Sequence, residues 1–107
     1  MYVGVLKLVF HIPHARSLKE KRATVRRFGD RIRARFQVSI AEVGAQDLHQ
    51  RAIFGVSVVS GDAKVCDRVL QDVARAAEFS EDAVLTDRQL EVLSMGEDLY
   101  EGTEDGG

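Results

Sequence analysis

The first stretch of the chain alternates in character. From residue 2 to residue 12 the odd positions are mixed, while the even positions are large and apolar: Leu6, Leu8, Phe10 and Ile12. A period of two is typical of a strand that lays one face on a hydrophobic core. We therefore predict a strand over residues 2–12, ending before Pro13, which has no backbone N–H to donate.

The period then becomes helical. At 100° per residue, the segment after Pro13 has one apolar arc, formed by Leu18, Val25, Phe28, Ile32 and Phe36. Ser17 and Glu20 have the spacing of a capping box, in which each side chain accepts a hydrogen bond from the other residue's backbone N–H. These features predict a helix that begins after Ser17 and extends to about Phe36. Lys21 falls inside the apolar arc, so its ammonium must reach solvent or find a partner.

The rest of the pattern supplies two strands, a helix and a weaker final element. Residues 37–43 and 52–60 are predicted strands, and the short polar link between them indicates a hairpin. Asp62 has the position of an N-cap for a second helix that runs to about Phe79. Residues 89–95 are predicted as a fourth strand, although they would also suit a helical turn. The order β-α-β-β-α-β predicts a ferredoxin-like α+β sandwich, in which two helices cover one face of a four-stranded antiparallel sheet.

Length and composition limit the class of protein. The 107 residues suit one domain, which we assign to residues 1–95. Residues 96–107 are acidic, contain glycine and lack a hydrophobic pattern, so we predict a disordered tail. No apolar run approaches the ~18 residues of a membrane span, and no export signal is recognisable. Because Cys66 is the only cysteine, no intramolecular disulfide can form, and we expect a cytoplasmic protein without a membrane partner.

Charge is distributed very unevenly along the chain. Between Arg16 and Arg35 there are nine basic residues and two acids, a local net charge of +7 in a chain whose formal net charge is −2. One flank of the helix's apolar arc carries Lys19, Arg22, Arg26 and Arg33, and the other carries Arg27, Arg31 and Arg35. A charged helix face is usually just solvated, but only Asp30 offers the later turns an internal partner. We therefore interpret the excess as a binding surface for a polyanion.

No catalytic or metal-binding pattern accompanies this surface. His11 and His14 stand three residues apart with no further ligand at a suitable spacing, which favours a surface or RNA-contacting pair over a metal site. Asp47 and His49 have no evident nucleophile near them, and Cys66 is predicted to lie in the core. Gly4, Gly55 and Gly61 are isolated, so no phosphate-binding glycine motif is recognised. We expect no enzyme activity and no cofactor.

Several segments, in this order and at these separations, resemble the YlxP-like family of small bacterial proteins: His11-Ile12-Pro13, Ser17-Leu18-Lys19-Glu20-Lys21-Arg22, Arg35-Phe36-Gln37-Val38-Ser39, Ala41-Glu42-Val43 and Gln50-Arg51-Ala52. The resemblance covers about residues 3 to 79. It implies a ferredoxin-like domain of no established activity. The genes that commonly neighbour those of the family include the one for ribosome-binding factor A, which implies a role near ribosome assembly or RNA.

The predicted sheet face away from the helices carries Val3, Val5, Val9, Ser39, Ala41, Ile53, Ser57 and Val59. None of them is aromatic, which argues against the base stacking that RNA-recognition domains of similar topology perform on their sheets. An apolar face of this kind suits another sheet or subunit. We therefore expect a homodimer that forms through the open sheet face.

These observations favour a non-enzymatic RNA- or ribosome-associated protein, with ribosome assembly as the implied process. Arginine suits phosphate because its planar fork donates two hydrogen bonds at once. The predicted phosphate-binding residues are Lys19, Arg22, Arg26 and Arg33, with Arg16 and Lys21 assisting near the helix start. The alternative hypothesis is a dimeric protein-interaction module whose basic helix docks on an acidic protein surface.

Overall fold

A computed structural model describes residues 1–96, which form a four-stranded antiparallel sheet and two helices. In chain order the elements are β1 (Tyr2–His11), α1 (Leu18–Arg35), β2 (Ser39–Gly44), β3 (Arg51–Ser60), α2 (Ala63–Glu78) and β4 (Val84–Ser94). The strands lie side by side in the order β2-β3-β1-β4. The ferredoxin-like α+β fold predicted from the sequence is therefore confirmed.

The core lies between the sheet and the two helices. As predicted, the even-numbered side chains of β1 are buried, and they meet Phe28 and Ile32 of α1 and Leu70 and Val73 of α2. The rings of Phe10, Phe28 and Phe54 pack around one another, with centroids between 4.9 and 5.7 Å apart. Aromatic contacts at these distances add about 0.5–1.5 kcal/mol each beyond the burial of area. They join α1 to the two central strands.

Gly4 allows α2 to lie close to the sheet. A Cβ atom built on Gly4 would stand 2.7 Å from Leu70 Cδ1 and 3.1 Å from the Cys66 Cβ. At these distances the neighbouring side chains would have to shift, so a larger residue here would crowd the contact between α2 and β1. Cys66 is fully buried at this contact, as predicted for a core cysteine.

The fourth strand is longer than predicted. It occupies Val84–Ser94, beginning five residues before position 89, and it is extended throughout, so the helical alternative is wrong. A bulge at Thr86 interrupts its pairing with β1, and the Thr86 hydroxyl donates to the Val9 carbonyl at 3.1 Å. Because of the extra residue, Leu85 and Leu90 both face the core although they are five apart. The bulge therefore interrupts the alternation of core-facing and solvent-facing residues along β4, and the sequence pattern of this strand is weak for that reason.

Both helix starts agree with the sequence, with one difference in detail. Ser17 Oγ accepts a hydrogen bond from the Glu20 N–H at 3.1 Å, and Asp62 Oδ1 accepts from the Lys64 N–H at 2.9 Å. The Glu20 carboxylate does not return to Ser17 as predicted. It accepts instead from the backbone N–H of Arg16, at 2.6 Å. This contact fixes the turn that precedes α1.

The domain boundary predicted at residue 95 lies one residue beyond the end of β4. The predicted disordered tail, residues 96–107, lies outside the described residues except for Gly96.

A buried ion pair attaches the first turns of α1 to the β2–β3 hairpin. The Lys21 side chain is 1% exposed, and its Nζ atom lies 2.7 Å from Glu42 Oε2. The same ammonium donates to the carbonyl of Ala45, a non-glycine residue with a positive φ of 59°. Within residues 1–96, the buried Glu42 Oε2 atom accepts no hydrogen bond besides this ion pair. Each charge therefore depends on the other for its compensation.

Replacement of one member of the pair should destabilise the fold strongly. Lys21→Met leaves the Glu42 carboxylate without its cation, and we expect a loss of about 3–5 kcal/mol in the free energy of unfolding, measured by urea denaturation. The double variant Lys21→Met/Glu42→Met should lose much less than the sum of the two single variants, because no buried charge remains unpaired. Arg27→Met provides the control: it breaks the exposed Arg27–Asp82 pair and should cost less than about 1 kcal/mol. Additive losses in the double variant would contradict this account.

Candidate nucleic-acid interface

Helix α1 divides its basic residues among three environments. Its core-facing arc buries Lys21, Thr24, Phe28, Gly29 and Ile32, so the remaining cations project from the two flanks and the outer surface. The basic side chains of the two flanks differ in their burial and in their hydrogen-bond and ion-pair partners. These partners determine which cations remain available to a ligand.

The flank that faces α2 uses its arginines within the protein. Arg27 Nη2 lies 2.8 Å from Asp82 Oδ2, in the loop between α2 and β4, and Arg31 Nη2 donates to the Ala76 carbonyl at 3.4 Å. The Arg31 guanidinium also lies 5.5 Å from the centre of the Phe28 ring. Arg35, at the end of the helix, similarly stacks on Phe36, at 5.2 Å. Arg27 and Arg31 thus connect α1 to the loop before β4 and to α2, and none of these three arginines was included in the predicted site.

Lys21 does not belong to the interface. It was predicted to assist phosphate binding, but its side chain is buried and its charge is compensated by Glu42. The requirement that this lysine find a partner or reach solvent was correct, and the partner is internal. A ligand outside the protein cannot reach its ammonium without displacing the β2–β3 hairpin.

Arg33 is only partly available. Its side chain is 52% exposed, but Nη2 donates to the Ile40 carbonyl at 2.9 Å and Nη1 lies 3.3 Å from Asp30 Oδ1. The guanidinium thus ties the second half of α1 to β2. Asp30 stands at helical spacing from both Arg26 and Arg33, and it pairs with Arg33. Arg33 contributes charge near the interface but has fewer free donors.

The remaining four predicted residues form what we call the basic stripe: Arg16, Lys19, Arg22 and Arg26. All four are exposed, and within residues 1–96 none of their side chains forms an ion pair or a hydrogen bond. Lys19, Arg22 and Arg26 follow one another at intervals of three and four residues, which places them in a line on the helix surface. At 1.5 Å per residue, the line is roughly 10 Å long.

The basic stripe opposes the stability of its own helix. Like charges three or four residues apart repel each other by about 0.2–0.5 kcal/mol per pair, and both the Lys19–Arg22 and Arg22–Arg26 spacings are of this kind. Lys19 also lies in the first turn, where the helix dipole disfavours cations. A surface kept for solubility alone would not need this arrangement. The stripe is better explained by an anion that neutralises it.

The turn before the stripe is held by a residue that sequence analysis did not single out. Gln50, just before β3, donates from Nε2 to the Pro13 and Ala15 carbonyls, both at 3.3 Å. The backbone carbonyl of Gln50 accepts a hydrogen bond from the Ile12 N–H at 2.9 Å and lies 3.1 Å from His11 Nδ1. His11 is therefore occupied by a structural contact. Gln50 occurs in one of the sequence segments quoted above, but its function becomes evident only when residues 13 and 50 are adjacent.

The described part of the chain offers no metal centre. No group of three or more His, Cys, Asp or Glu side chains lies close enough together in residues 1–96 to hold an ion. His14, Asp47 and His49 are exposed. None of the helices in this region is long and apolar enough to cross a membrane.

The open sheet face has the composition predicted, with additions. Strand register places Val59, Val3 and Leu93 side by side across β3, β1 and β4. Exposed apolar side chains on this face also include Val5, Val43 and Met95, and Val43 lies over Gly55. The residues described on this face include no aromatic side chain. Val43, Leu93 and Met95 lie within the segments predicted as strands, residues 37–43 and 89–95, but sequence analysis did not assign them to this face.

Comparison with known proteins supplies a family and a fold. Residues 3–90 match the model of a family described as "Protein of unknown function (DUF503)". Over 71 residues the chain is 46% identical to "Uncharacterized protein YlxP" of Bacillus subtilis (strain 168), covering 66% of this chain and 77% of that protein. A solved structure, "De novo designed protein Foldit4", gives a TM-score of 0.51 over 89% of this chain and 99% of that chain, with 9% sequence identity. At that identity the likeness concerns the fold alone.

If the stripe opposes helix stability, then a reversal of its central charge should stabilise the protein. Arg22→Glu removes two like-charge pairs and creates favourable pairs with Lys19 and Arg26. We expect the free energy of unfolding to rise by about 1 kcal/mol at low salt, with a gain that shrinks as salt is added. Thermal unfolding at two salt concentrations measures this gain.

The matched control is Arg75→Glu on α2. Arg75 lies 3.3 Å from Asp72 in the last turn, so the same charge reversal there replaces an attraction with a repulsion and should lower stability. A loss of stability in Arg22→Glu would show that Arg22 has a stabilising role in the fold.

Proposed function

The chain belongs to the family described as Protein of unknown function (DUF503), and from its own surface we propose that it is a non-enzymatic RNA-associated protein. The family match and the YlxP relative confirm the resemblance found in the sequence. Neither specifies a ligand. The proposal therefore rests on the basic stripe, which binds the phosphates of RNA through Arg16, Lys19, Arg22 and Arg26.

The observation that carries the proposal is the contrast between the stripe and the three cations of α1 that pair with carboxylates. Lys21, Arg27 and Arg33 each lie within 4 Å of a carboxylate, whereas the stripe has no such partner in residues 1–96. The protein is not basic as a whole, since its formal net charge is −2. A local cluster of unpaired cations, arranged against helix stability, fits a specific anionic ligand better than general electrostatic attraction.

The mode of binding follows from the residues available. Arginine forks and a lysine ammonium bind phosphate oxygens, and such contacts position a nucleic acid without reading its sequence. We therefore propose recognition of the RNA backbone with little base specificity. Association with a ribosomal subunit, and a part in its assembly, is the finer form of the proposal, supported by the gene neighbourhood that the family resemblance implies.

The alternative is that the stripe docks on an acidic protein surface, since carboxylates also pair with arginine. Nuclease treatment separates the two proposals. Partners recovered from a lysate at low salt should disappear after nuclease treatment if RNA is the ligand, and should persist if the ligand is a protein.

We also propose that a second copy of the chain covers the open sheet face. Val59 and Leu93 are 61% and 51% exposed, and Met95 is 60% exposed, which makes an apolar patch of a kind that monomers seldom leave to solvent. The same face carries Lys7 on β1. Its partner on β4 is Gln89, and Asp87 and Glu91 lie two residues to either side of Gln89. Two such faces stacked about a two-fold axis, with β1 over the partner's β4, would place Lys7 near both acids. The face is thus complementary to itself in charge.

Neutralisation of the stripe should abolish RNA binding. The triple variant Lys19→Gln/Arg22→Gln/Arg26→Gln leaves the core untouched and removes three phosphate contacts, so the slope of log affinity against log salt should shrink by about 2–3. A control with the same change in charge is Lys64→Gln/Arg68→Gln/Arg75→Gln on α2, which should retain most of its affinity. Fluorescence anisotropy with a labelled RNA measures both variants. Equal losses in the two variants would show that binding depends on total charge and would overturn the proposed site.

Single charge reversals on the open face should weaken the dimer, and two combined reversals should restore part of its affinity. Lys7→Glu and Glu91→Lys, made separately, should each raise the dissociation constant measured by sedimentation, because each brings like charges together. The double variant Lys7→Glu/Glu91→Lys should recover part of the affinity. Val59→Lys/Leu93→Lys should be monomeric, whereas Phe79→Lys, which changes an exposed apolar residue outside the patch, should not. A wild-type protein that remains monomeric at several hundred micromolar would exclude this dimer.

A further inference from the structure

We infer that the basic stripe binds double-helical RNA in preference to single strands. This inference rests on the proposed function and adds the form of the ligand. It follows from what surrounds the stripe: cations in a line on a rigid helix, without an aromatic side chain that could stack on a base.

The phenylalanine and tyrosine side chains of the described region are placed away from the stripe, and the exposed His14 lines a pocket with Thr24, Arg27 and Asp82 on the other flank of α1. Phe10, Phe28 and Phe54 are buried, and Tyr2 and Phe36 are partly covered. Phe79 is 79% exposed, but it lies in a shallow groove with Arg31 and Asp82, on the opposite flank of α1. The acidic residues Glu78, Glu81 and Asp82 adjoin Phe79 in the chain and would repel a phosphate backbone there. Neither the stripe nor the open sheet face therefore supplies a stacking surface.

Lack of stacking matters more for a single strand than for a duplex. Proteins that bind single strands gain about 1–3 kcal/mol per base from stacking on aromatic side chains, and this gain offsets the entropy lost when a flexible strand is held in one conformation. The stripe offers charge and the hydrogen-bond donors of its arginines, but no aromatic ring. A duplex has already lost that entropy, and its phosphates are held in fixed positions.

Charge density favours the duplex as well. A duplex concentrates its phosphates, so each neutralised phosphate releases more condensed counterion: the salt slope is about −0.9 per contact on a duplex and about −0.7 on a single strand. For the four residues of the stripe the expected slopes are ~−3.6 and ~−2.8. Side chains cannot read base edges in the deep and narrow major groove of double-helical RNA. A surface that contacts only phosphates does not need those base edges, so their inaccessibility does not weaken its binding to a duplex.

The test compares a labelled RNA duplex of 20 base pairs with each of its separated strands, of a sequence that does not pair with itself. Anisotropy titrations with the full-length protein at 50 and 200 mM salt give affinities and slopes. We expect the duplex to bind roughly tenfold tighter or more at 50 mM salt, with the steeper slope. Phe79→Ala should leave both affinities unchanged.

Single-strand binding equal to or tighter than duplex binding, or a weaker affinity in Phe79→Ala, would overturn the inference and leave the proposed RNA function in place. Absence of binding to both forms at 50 mM salt would overturn the proposed function itself. The stripe variant Lys19→Gln/Arg22→Gln/Arg26→Gln distinguishes specific from general attraction, because it should lose duplex binding while the α2 control variant keeps it.

Discussion

The ion pair between Lys21 and Glu42 is the interaction on which the arrangement of this molecule depends. It connects the first turns of α1 to β2, and the Lys21 ammonium also holds the carbonyl of Ala45, where the backbone adopts a left-handed conformation. Farther along the helix, Phe28 and Ile32 fix its distance from the sheet. The two kinds of contact together determine which flank of α1 faces solvent. The buried Lys21 therefore helps to set the rotation of α1 that leaves the basic stripe in solvent.

The nine cations between Arg16 and Arg35 have different uses, although they are similar in sequence. Lys21 is structural, Arg27 and Arg31 connect α1 to α2 and to the loop that follows it, and Arg33 holds β2. Only the stripe is left without partners among the described residues. This division makes the proposed interface smaller than the charge count of the segment indicated. It also gives the interface a direction, along one line of the helix.

The two proposed surfaces lie on opposite sides of the molecule. Both helices cover one face of the sheet, so the stripe points away from the open face with its apolar patch. A face-to-face dimer would leave both stripes accessible, on its two outer sides. Two linked sites can bind one long polyanion more tightly than either site alone, provided that the polyanion can reach both. Self-association and RNA binding would then support each other.

The sequence alone determined the features that depend on neighbours in the chain. The period of β1, the cap at Ser17, the start of α2 at Asp62 and the order of elements all followed from local patterns, and that order was sufficient for the fold. Four of the six predicted site residues are exposed, and for the three that lie on α1 the exposure follows from the period of the helix.

Contacts between distant parts of the chain were decided by the tertiary structure. The bulge at Thr86, the role of Gln50 and the partners of Lys21, Arg27 and Arg33 depend on segments that are 7 to 77 residues apart. A pattern of residue types shows that a buried lysine requires a carboxylate. Only the pairing of strands and the packing of helices determines which carboxylate is close enough, because many acids in the chain satisfy the same chemistry.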